Sequence, residues 1–347
     1  MISQAETPDE SPDLYEHFRF VADKGQGPVR IDRYLAAKIE NASRNRIQNA
    51  TTAGNILVND KVIKSSYIVR PGDVISIVMA HPPRDTEVYP EDIPINILYE
   101  DDEIIVVYKE AGMVVHPAHG NFNGTLQNAL LYHLQHSPAK PGSELKPFLV
   151  HRIDKDTSGV LLVAKNELAQ SKLAKQFFDH SIDRKYIALV WGNLKDDEGT
   201  ISGFIGRDVR DRLVMRIYEN ESQGRSAVTH YKVLERFGYV TLVECVLETG
   251  RTHQIRAHFR HIGHPLFNDE KYGGNEILKG TTFTKYKQFV QNCFKLMPRQ
   301  ALHAKSLGFI HPTSKEYLFF DSEYPDDLRS VIEKWRNYSV HKTLEEL

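Results

Sequence analysis

A proline- and acid-rich stretch, HPPRDTEVYPEDIP at residues 81–94, most constrains the fold, because it separates two parts of the chain with different sequence patterns. It contains four prolines and four acidic residues, a composition that favours a linker over a helix or a strand. At 347 residues the chain also has the length of about two domains. We therefore predict a small N-terminal domain, a linker at residues 81–94 and a larger C-terminal domain.

The part before the linker joins an acidic start to a basic segment. Residues 1–16 carry five acids and no base, and their proline and serine content predicts a disordered tail. Residues 17–80 carry ten Lys or Arg against five Asp or Glu, although the whole chain has a net charge of −2. Segregated basic charge is typical of a nucleic-acid-binding module, and an ordinary basic surface explains it equally well.

Residues 17–80 have the pattern of two helices and a small sheet. In VRIDRYLAAKIE, apolar residues recur at the helical spacing of four, at Ile31, Leu35 and Ile39. A second helix is predicted to begin after Ser43, a favourable N-cap, and to end at Gly54. Two β-prone runs then flank Asn59 and Asp60, which indicates a hairpin.

Strand-like runs dominate beyond the linker. The segments IIVVYK, GVLLVAKN, KYIALVWG and TLVECVLET are β-prone, and TLQNALLYHL and ELAQSKLAKQFF have helical spacing. Irregularly interspersed helices favour an α+β fold with a mixed, largely antiparallel sheet over a regular βαβ wind. We assign residues 95–330 to this domain and residues 331–347 to a C-terminal extension.

Several classes of protein are not indicated. No run approaches 18 apolar residues and the N-terminus lacks the features of a signal peptide, so we expect a cytoplasmic protein without a membrane span. The motifs GxGxxG, HExxH and GxSxG and the P-loop do not occur. The two cysteines lie far apart and form no CxxC pair. The sequence therefore predicts neither a cofactor nor a redox site.

The segment HRIDKDTSGVLLVAKN at residues 151–166 concentrates polar side chains before an apolar run. Asp154 follows the apolar lead-in FLVHRI at a predicted strand-to-loop edge, where functional residues often lie. A structural ion pair with Arg152 is the alternative. Asp156 could form a glycosidase-like pair with Asp154, but the turn-like sequence between them indicates that the two carboxylates diverge.

The segment RTHQIRAHFRHIGH is rich in histidine and arginine. Its histidines could bind a metal ion, at His253, His258, His261 and His264. However, His253 and His258 are five residues apart, and arginines are interspersed at Arg251, Arg256 and Arg260. A basic patch that faces phosphates is the better interpretation, and we expect no metal site. A further basic run occurs at Arg207, Arg210, Arg212 and Arg216.

Four ordered segments resemble the RluA-type RNA pseudouridine synthases. HRIDKDTSG matches the family's core motif HRLDxxTSG, with Ile153 in place of leucine. The second, third and following motifs are matched by RKYIALVWG, by LETGRTHQIRAHFRHIGHPLFNDEKYGG and by the segment Leu302-His303-Ala304. Residues 17–80 resemble the alpha-L RNA-binding module. The two-part layout is most similar to the RluD branch, which acts on large-subunit ribosomal RNA.

The resemblance implies a role for each matched residue. Asp154 would be the nucleophile, Tyr186 would lie against the target base, and Arg256 would pair with Asp154. Arg251 is the alternative partner, and otherwise contacts phosphate or braces the loop. The remaining implied substrate-binding residues are Arg152, Arg251, His253, Leu302, Arg44 and Arg46.

The resemblance also implies the partner and the chemistry. The partner is RNA, and the isomerisation of uridine needs no cofactor and no metal. Two alternatives are a ribosome-assembly protein that binds RNA without catalysis and a synthase that acts on transfer RNA. One departure from the family is YKEAG at residues 108–112, where relatives commonly have NKPAG, and a changed loop conformation is expected there.

Overall fold

The chain divides between Glu87 and Val88 into two units, according to a computed structural model. The structure describes residues 15–39, 42–79, 88–117, 121–137, 146–211 and 213–345. The predicted acidic tail lies outside these ranges except for Tyr15 and Glu16, which already belong to a strand.

The N-terminal unit packs two helices, α1 (Ile31–Lys38) and α2 (Arg44–Thr52), beside a small antiparallel sheet. Its strands are β1 (Tyr15–Val21), β2 (Val29–Arg30), β3 (Ile56–Val58), β4 (Lys61–Val62), β5 (Ile68–Val69) and β6 (Val74–Met79). Four of them form a sheet in the order β1-β6-β3-β4, and β2 pairs with β5. The apolar stripe of α1 is buried as predicted, with Ile31 and Leu35 fully enclosed.

Local signals in this unit are confirmed. The Ser43 hydroxyl accepts a hydrogen bond from the Arg46 backbone N–H and thereby caps α2. Gly54 follows that helix with a φ of 77°, in the left-handed region that favours glycine. Asn59 and Asp60 also have positive φ values, of 51° and 62°, and form the tight turn between β3 and β4.

The C-terminal unit is built on an eleven-stranded sheet. Its strands are β7 (Asn96–Glu100), β8 (Ile104–Lys109), β9 (Phe148–Leu149), β10 (Ser158–Ala164), β11 (Asp183–Trp191), β12 (Glu198–Arg207), β13 (Met215–Tyr218), β14 (Arg225–Arg236), β15 (Val240–Leu247), β16 (Leu302–Ile310) and β17 (Tyr317–Asp321). The main path is β13-β12-β14-β15-β11-β16-β10-β8-β7, with β17 on β16 and β9 on β10. Among the described strands only β10 and β16 pair in parallel, so the mixed, largely antiparallel prediction is confirmed.

Helices cover both faces of this sheet. They are α3 (Leu126–His136), α4 (Glu167–Phe178), α5 (Gln254–His261), α6 (Thr284–Leu296) and α7 (Asp326–Glu345). Successive side chains of β11 point to opposite faces of the sheet, so this strand contributes to the core on both sides. Tyr186, Ala188 and Val190 pack in the core that contains α3 and α5. The alternate residues Ile187, Leu189 and Trp191 pack against α6 and α7.

The predicted linker, residues 81–94, and the predicted extension, residues 331–347, each include residues that pack with the C-terminal unit. Residues 88–94, predicted as linker, are hydrogen-bonded to α3, since Asn128 donates its side-chain amide to the Tyr89 carbonyl at 2.7 Å. Of residues 331–347, predicted as an extension, the described residues 331–345 continue α7, and Val331, Ile332 and Trp335 lie in the core of the unit. The proline content of the predicted linker suggested a segment free of contacts. The sequence pattern did not single out the apolar face of α7.

Candidate active site

Asp154 begins a tight turn directly before β10. The Thr157 backbone N–H donates to the Asp154 carbonyl at 3.1 Å and closes the turn. Ser158 and Gly159 already belong to the strand. Gly159 has a φ of 123°, and a Cβ there would lie 2.1 Å from the Ala304 carbonyl oxygen. Glycine is therefore required where β10 approaches β16, which fixes the start of the strand and the turn before it.

Two buried cations brace this turn from behind. The Lys109 ammonium donates to the carbonyls of Glu110, Met113 and Lys155 at 2.7–2.9 Å. Burial lowers the pKa of Lys109 to about 7, although nearby Asp156 opposes the shift. Gly112 also donates its N–H to the Lys155 carbonyl at 3.0 Å, so the YKEAG segment contacts the turn.

The second cation is Arg299, for which sequence analysis predicted no role. Its guanidinium donates to the Asp156 carbonyl at 2.9 Å and to the Leu302 carbonyl at 3.1 Å. It also forms a two-pronged ion pair with Asp327 in the first turn of α7. The C-terminal helix is thereby connected to the turn that carries Asp154.

Arg256 joins Asp154 to a second carboxylate. The Arg256 Nη1 lies 3.0 Å from Asp154 Oδ2, and its Nε and Nη2 bind both oxygens of the fully buried Asp269 at 2.7 and 2.8 Å. Burial opposes the charge of Arg256, but the hydrogen bonds and charge of Asp269, with the charge of Asp154, raise its pKa above the ordinary value. One guanidinium therefore faces two carboxylates, which leaves the cluster with a net negative charge.

The other predicted partners of Asp154 lie in different positions. Arg251 donates from Nε to the Ser226 carbonyl at 3.0 Å and braces the loop before α5, so Arg256 is the partner. Arg152 is exposed and takes no part in the ion pairs of Asp154, so the alternative of an Arg152–Asp154 pair is wrong.

His253 lies on the other side of the carboxylate. Its Nε2 is 4.0 Å from Asp154 Oδ1, and its Nδ1 lies 2.9 Å from the Tyr272 hydroxyl. Burial lowers the pKa of His253, and the charge of Asp154 only partly opposes this. The residue also has a φ of 54°, an uncommon conformation for a side chain other than glycine. Burial therefore favours the neutral form of the imidazole beside Asp154.

A cavity of about 480 Å³ opens over these residues. Asp154 lines it with its side chain 18% exposed, so the carboxylate is accessible from the cavity. Tyr186 and Leu302 form apolar parts of the wall and are themselves 8% and 4% exposed. Burial raises the pKa of the Tyr186 hydroxyl. An accessible carboxylate beside an aromatic ring and an aliphatic side chain is a suitable arrangement for a flat, polar-edged ligand.

The structure brings most of the predicted site together here. The cavity is lined by seven of the nine predicted site residues, namely Arg152, Asp154, Tyr186, Arg251, His253, Arg256 and Leu302. The other two are in the N-terminal unit. There Arg44 donates to the buried carboxylate of Asp32 at 3.0 Å, and Arg46 is exposed one turn into α2.

His151 supports the wall of the cavity. Its Nε2 accepts a hydrogen bond from the Leu162 backbone N–H at 2.9 Å, and its ring stacks on Phe177. Burial, with the charge of Arg184, lowers the pKa of His151 to about 3. The imidazole is therefore neutral at physiological pH and fixes the segment before Asp154 to β10.

Acidification is expected to destabilise the protein through its neutral histidines. Burial lowers the pKa of His151 to about 3 and those of His258 and His303 to about 4. Unfolded histidine titrates near 6.5, so between roughly pH 6.5 and 4 the unfolded chain binds protons that the folded chain does not. Each histidine then lowers the free energy of unfolding by about 1.4 kcal/mol per pH unit as the pH falls. The free energy of unfolding, measured in urea between pH 4 and 7, should fall less steeply with decreasing pH in His151→Gln than in the wild type, by about 1.4 kcal/mol per pH unit. Equal slopes for the two proteins would contradict this.

The histidine-rich segment does not converge on one point. His253 contacts Tyr272, His258 contacts the Thr229 hydroxyl, and His264 contacts the Trp191 carbonyl. In the described part of the chain, no three His, Cys, Asp or Glu side chains are grouped to hold a metal ion. Across the same residues, no helix has both the length and the apolar character needed to cross a bilayer.

A second cavity, of about 500 Å³, lies where the turn before β13 meets the end of α5. Its basic side chains are Arg210, Arg216, Arg260 and Lys271, and its acidic ones are Asp208 and Asp211. Arg212 of the predicted basic run lies outside the described residues. The Tyr272 hydroxyl, which contacts His253, also accepts the Met215 backbone N–H at 2.9 Å. A single tyrosine thereby connects this basic cavity to the surroundings of Asp154.

Comparison with known proteins agrees with this combination of fold and site. The family model described as RNA pseudouridylate synthase matches residues 103–261, and the S4 domain model matches residues 29–75. An uncharacterized RNA pseudouridine synthase of Chlorobaculum parvum is 48% identical, over 90% of this chain and 96% of the relative. The ribosomal large subunit pseudouridine synthase D of Zymomonas mobilis is 41% identical, over 87% and 92% of the two chains. Among solved structures, human RNA Pseudouridylate Synthase Domain Containing 1 has a TM-score of 0.51 and 26% identity, covering 72% of this chain and 89% of that one.

These matches define an enzyme class, since two separate domains are matched and 96% and 92% of the two relatives' lengths are covered. The chain belongs to the RluA-type RNA pseudouridine synthases, which are isomerases, and it carries an N-terminal S4 domain of the RNA-binding type. The resemblance inferred from its motifs is confirmed.

Proposed function

We propose that the protein converts specific uridines of large-subunit ribosomal RNA to pseudouridine, with Asp154 as the nucleophile. The observation that carries this proposal is the position of Asp154, whose carboxylate is exposed to the cavity while the buried Arg256 neutralises it from behind. A carboxylate that is held by a guanidinium and open to a cavity has the geometry that a nucleophile requires. The choice of RNA is supported by similarity to relatives named for the large ribosomal subunit.

The reaction moves one bond of the uridine. The bond between C1′ and N1 breaks, the uracil rotates, and C1′ bonds to C5, which loses its proton while N1 gains one. Asp154 bonds to C1′ as the C1′–N1 bond breaks, and this ester bond breaks in turn when C5 bonds to C1′. Tyr186 and Leu302 hold the detached uracil between them, because a flat apolar surface replaces the stacking that the base loses on leaving the RNA.

The proposed RNA contacts lie on both units. Within the C-terminal unit, Arg152 is exposed at the cavity and is placed to bind a phosphate or to fill the space left by the flipped base. The basic second cavity would bind the phosphate backbone through Arg210, Arg216, Arg260 and Lys271. In the S4 domain, Arg46 at the start of α2 would add a contact that does not depend on sequence.

Replacing Arg46 by glutamate is expected to weaken RNA binding at every sequence tested, because a phosphate contact would be lost. The slope of log Kd against log salt should become shallower by about one. The matched control is Lys61→Glu, which makes the same charge change at an exposed position in the hairpin, away from α2. Fluorescence anisotropy on a ribosomal RNA transcript measures both, and identical Kd values and salt slopes for the two variants would contradict the assignment.

The proposed substrate is tested by mapping pseudouridines in all stable RNAs with and without the gene. Loss of modification at particular large-subunit sites supports the proposal. Loss of pseudouridine in transfer RNA alone would show that transfer RNA, and not ribosomal RNA, is the substrate. No difference at any site would favour an RNA-binding role in ribosome assembly without catalysis.

A further inference from the structure

The end of helix α4 places an exposed aromatic ring at the mouth of the Asp154 cavity. Phe178 is 82% exposed, yet it belongs to the residues that line this cavity. Single apolar side chains on a surface are common, so exposure by itself means little. What distinguishes Phe178 is its place in the lining of the site, where Arg152 and His180 are also exposed.

The adjacent residue, Phe177, fixes this end of the helix against the cavity wall. Its ring stacks on His151 with centroids 4.7 Å apart, and the Arg184 guanidinium lies 5.2 Å from its centroid on another side. His151 in turn is hydrogen-bonded to the strand that follows Asp154. The backbone beneath Phe178 is therefore held in a defined position relative to the active carboxylate.

The chain then leaves the helix through a conformation that usually takes glycine. Asp179 ends α4, and His180 has a φ of 56°. The Ser181 N–H donates a hydrogen bond to the Gln176 carbonyl at 3.0 Å and closes the helix end. A left-handed conformation is unfavourable for a residue with a Cβ. The imidazole occupies this position at the rim of the cavity, beside Phe178.

The rim thus combines a phenyl ring, an imidazole and an exposed guanidinium, from Phe178, His180 and Arg152. Aromatic rings and guanidinium planes are the groups on which proteins stack unpaired nucleobases. A site for phosphates alone would need only the cation. In addition, an RNA strand that delivers one base into the cavity must cross the rim with the neighbouring nucleotide.

We propose that Phe178, assisted by His180, stacks a nucleobase directly adjacent to the target uridine. This inference rests on the proposed function of the cavity and adds a second subsite to it. The subsite takes an unpaired base and is sequence-tolerant, because every base offers a flat face to an aromatic ring. Phe178 thereby acts in substrate binding and not in the bond-making steps.

The test uses a short RNA stem-loop around a uridine that the wild-type protein modifies, together with versions that are abasic at either neighbouring nucleotide. Phe178→Ala is compared with Phe178→Trp and with Leu168→Ala, a control that removes a 62% exposed side chain from the same helix away from the cavity. We expect Phe178→Ala to raise KM about tenfold with kcat within about twofold, whereas the other two variants behave like wild type. An abasic neighbour should raise the wild-type KM by a similar factor and leave Phe178→Ala unaffected.

Two results would overturn the subsite. One is a Phe178→Ala enzyme that matches Leu168→Ala on the intact stem-loop. The other is an increase in KM on abasic RNA that is equally large in wild type and in Phe178→Ala at both neighbouring positions. Effects that are independent in this way exclude a shared contact. A wild-type protein that forms no pseudouridine in any ribosomal or transfer RNA would instead overturn the proposed function itself.

Discussion

Asp154→Asn is expected to abolish pseudouridine formation while leaving the fold and the RNA affinity intact. Asparagine has nearly the same shape, and the buried pair of Arg256 with Asp269 remains to hold the site together. The amide carries no negative charge, so it cannot assist cleavage of the glycosidic bond. Removing a nucleophile of this kind lowers the rate by roughly 10⁴-fold or more. Single-turnover assays on an RNA transcript that contains the unmodified target uridine measure the loss.

Asp156→Asn is the matched control for that experiment. Asp156 lies two residues away on the same turn, and its backbone carbonyl, not its carboxylate, is what Arg299 holds. The control should keep its rate within a few fold of the wild type. An Asp154→Asn enzyme that retains a rate within tenfold of the wild type would remove Asp154 from the role of nucleophile.

Arg256→Met is expected to cause the largest loss of stability of any substitution at the site. Its removal leaves the carboxylates of Asp269 and Asp154 facing each other, and the Asp269 side chain is fully buried. Breaking a buried ion pair from one side costs about 3–5 kcal/mol, since the remaining charge has no partner. The free energy of unfolding in urea should fall by that amount, and activity should be lost with it.

Arg260→Met serves as the control, because Arg260 lies one turn further along α5 and is exposed. It should change the free energy of unfolding by less than about 1 kcal/mol. Arg256→Lys keeps the charge without the two-pronged geometry and should fall between the two. Equal stability of Arg256→Met and Arg260→Met would contradict the paired-carboxylate account of the site.

Local signals in the sequence were sufficient for much of the fold. The cap at Ser43 and the hairpin at Asn59 depend on side chains and backbone only a few residues apart, and both are confirmed. The ends of the C-terminal unit were less accessible to sequence analysis. Their assignment depends on α3 and on the apolar core beneath Trp335, and both contacts join segments that are distant in sequence.

The candidate site likewise combines residues that the sequence predicted with residues that it did not. Motifs predicted Asp154, Tyr186 and Leu302, and the fold brings them to one cavity. The sequence left the choice between Arg251 and Arg256 open, because both have the same charge within six residues. The structure separates them by direction, since Arg256 on the first turn of α5 points to Asp154 while Arg251 contacts the Ser226 carbonyl.

Three supporting residues were not predicted because their partners are remote in sequence. Lys109 binds the carbonyl of Lys155, Arg299 binds that of Asp156, and Asp269 pairs with Arg256. A lysine, an arginine and an aspartate carry no local mark of burial. Only the packed structure reveals that they hold the turn and the guanidinium in place.

The most direct test of the central claim is complementation in cells that lack the gene, followed by quantitative mapping of pseudouridine in ribosomal RNA. Wild-type protein and the Asp156→Asn control are predicted to restore the missing sites, while Asp154→Asn, expressed at the same level, restores none of them. Restoration of those sites by Asp154→Asn would contradict the assignment of this carboxylate as the catalytic nucleophile.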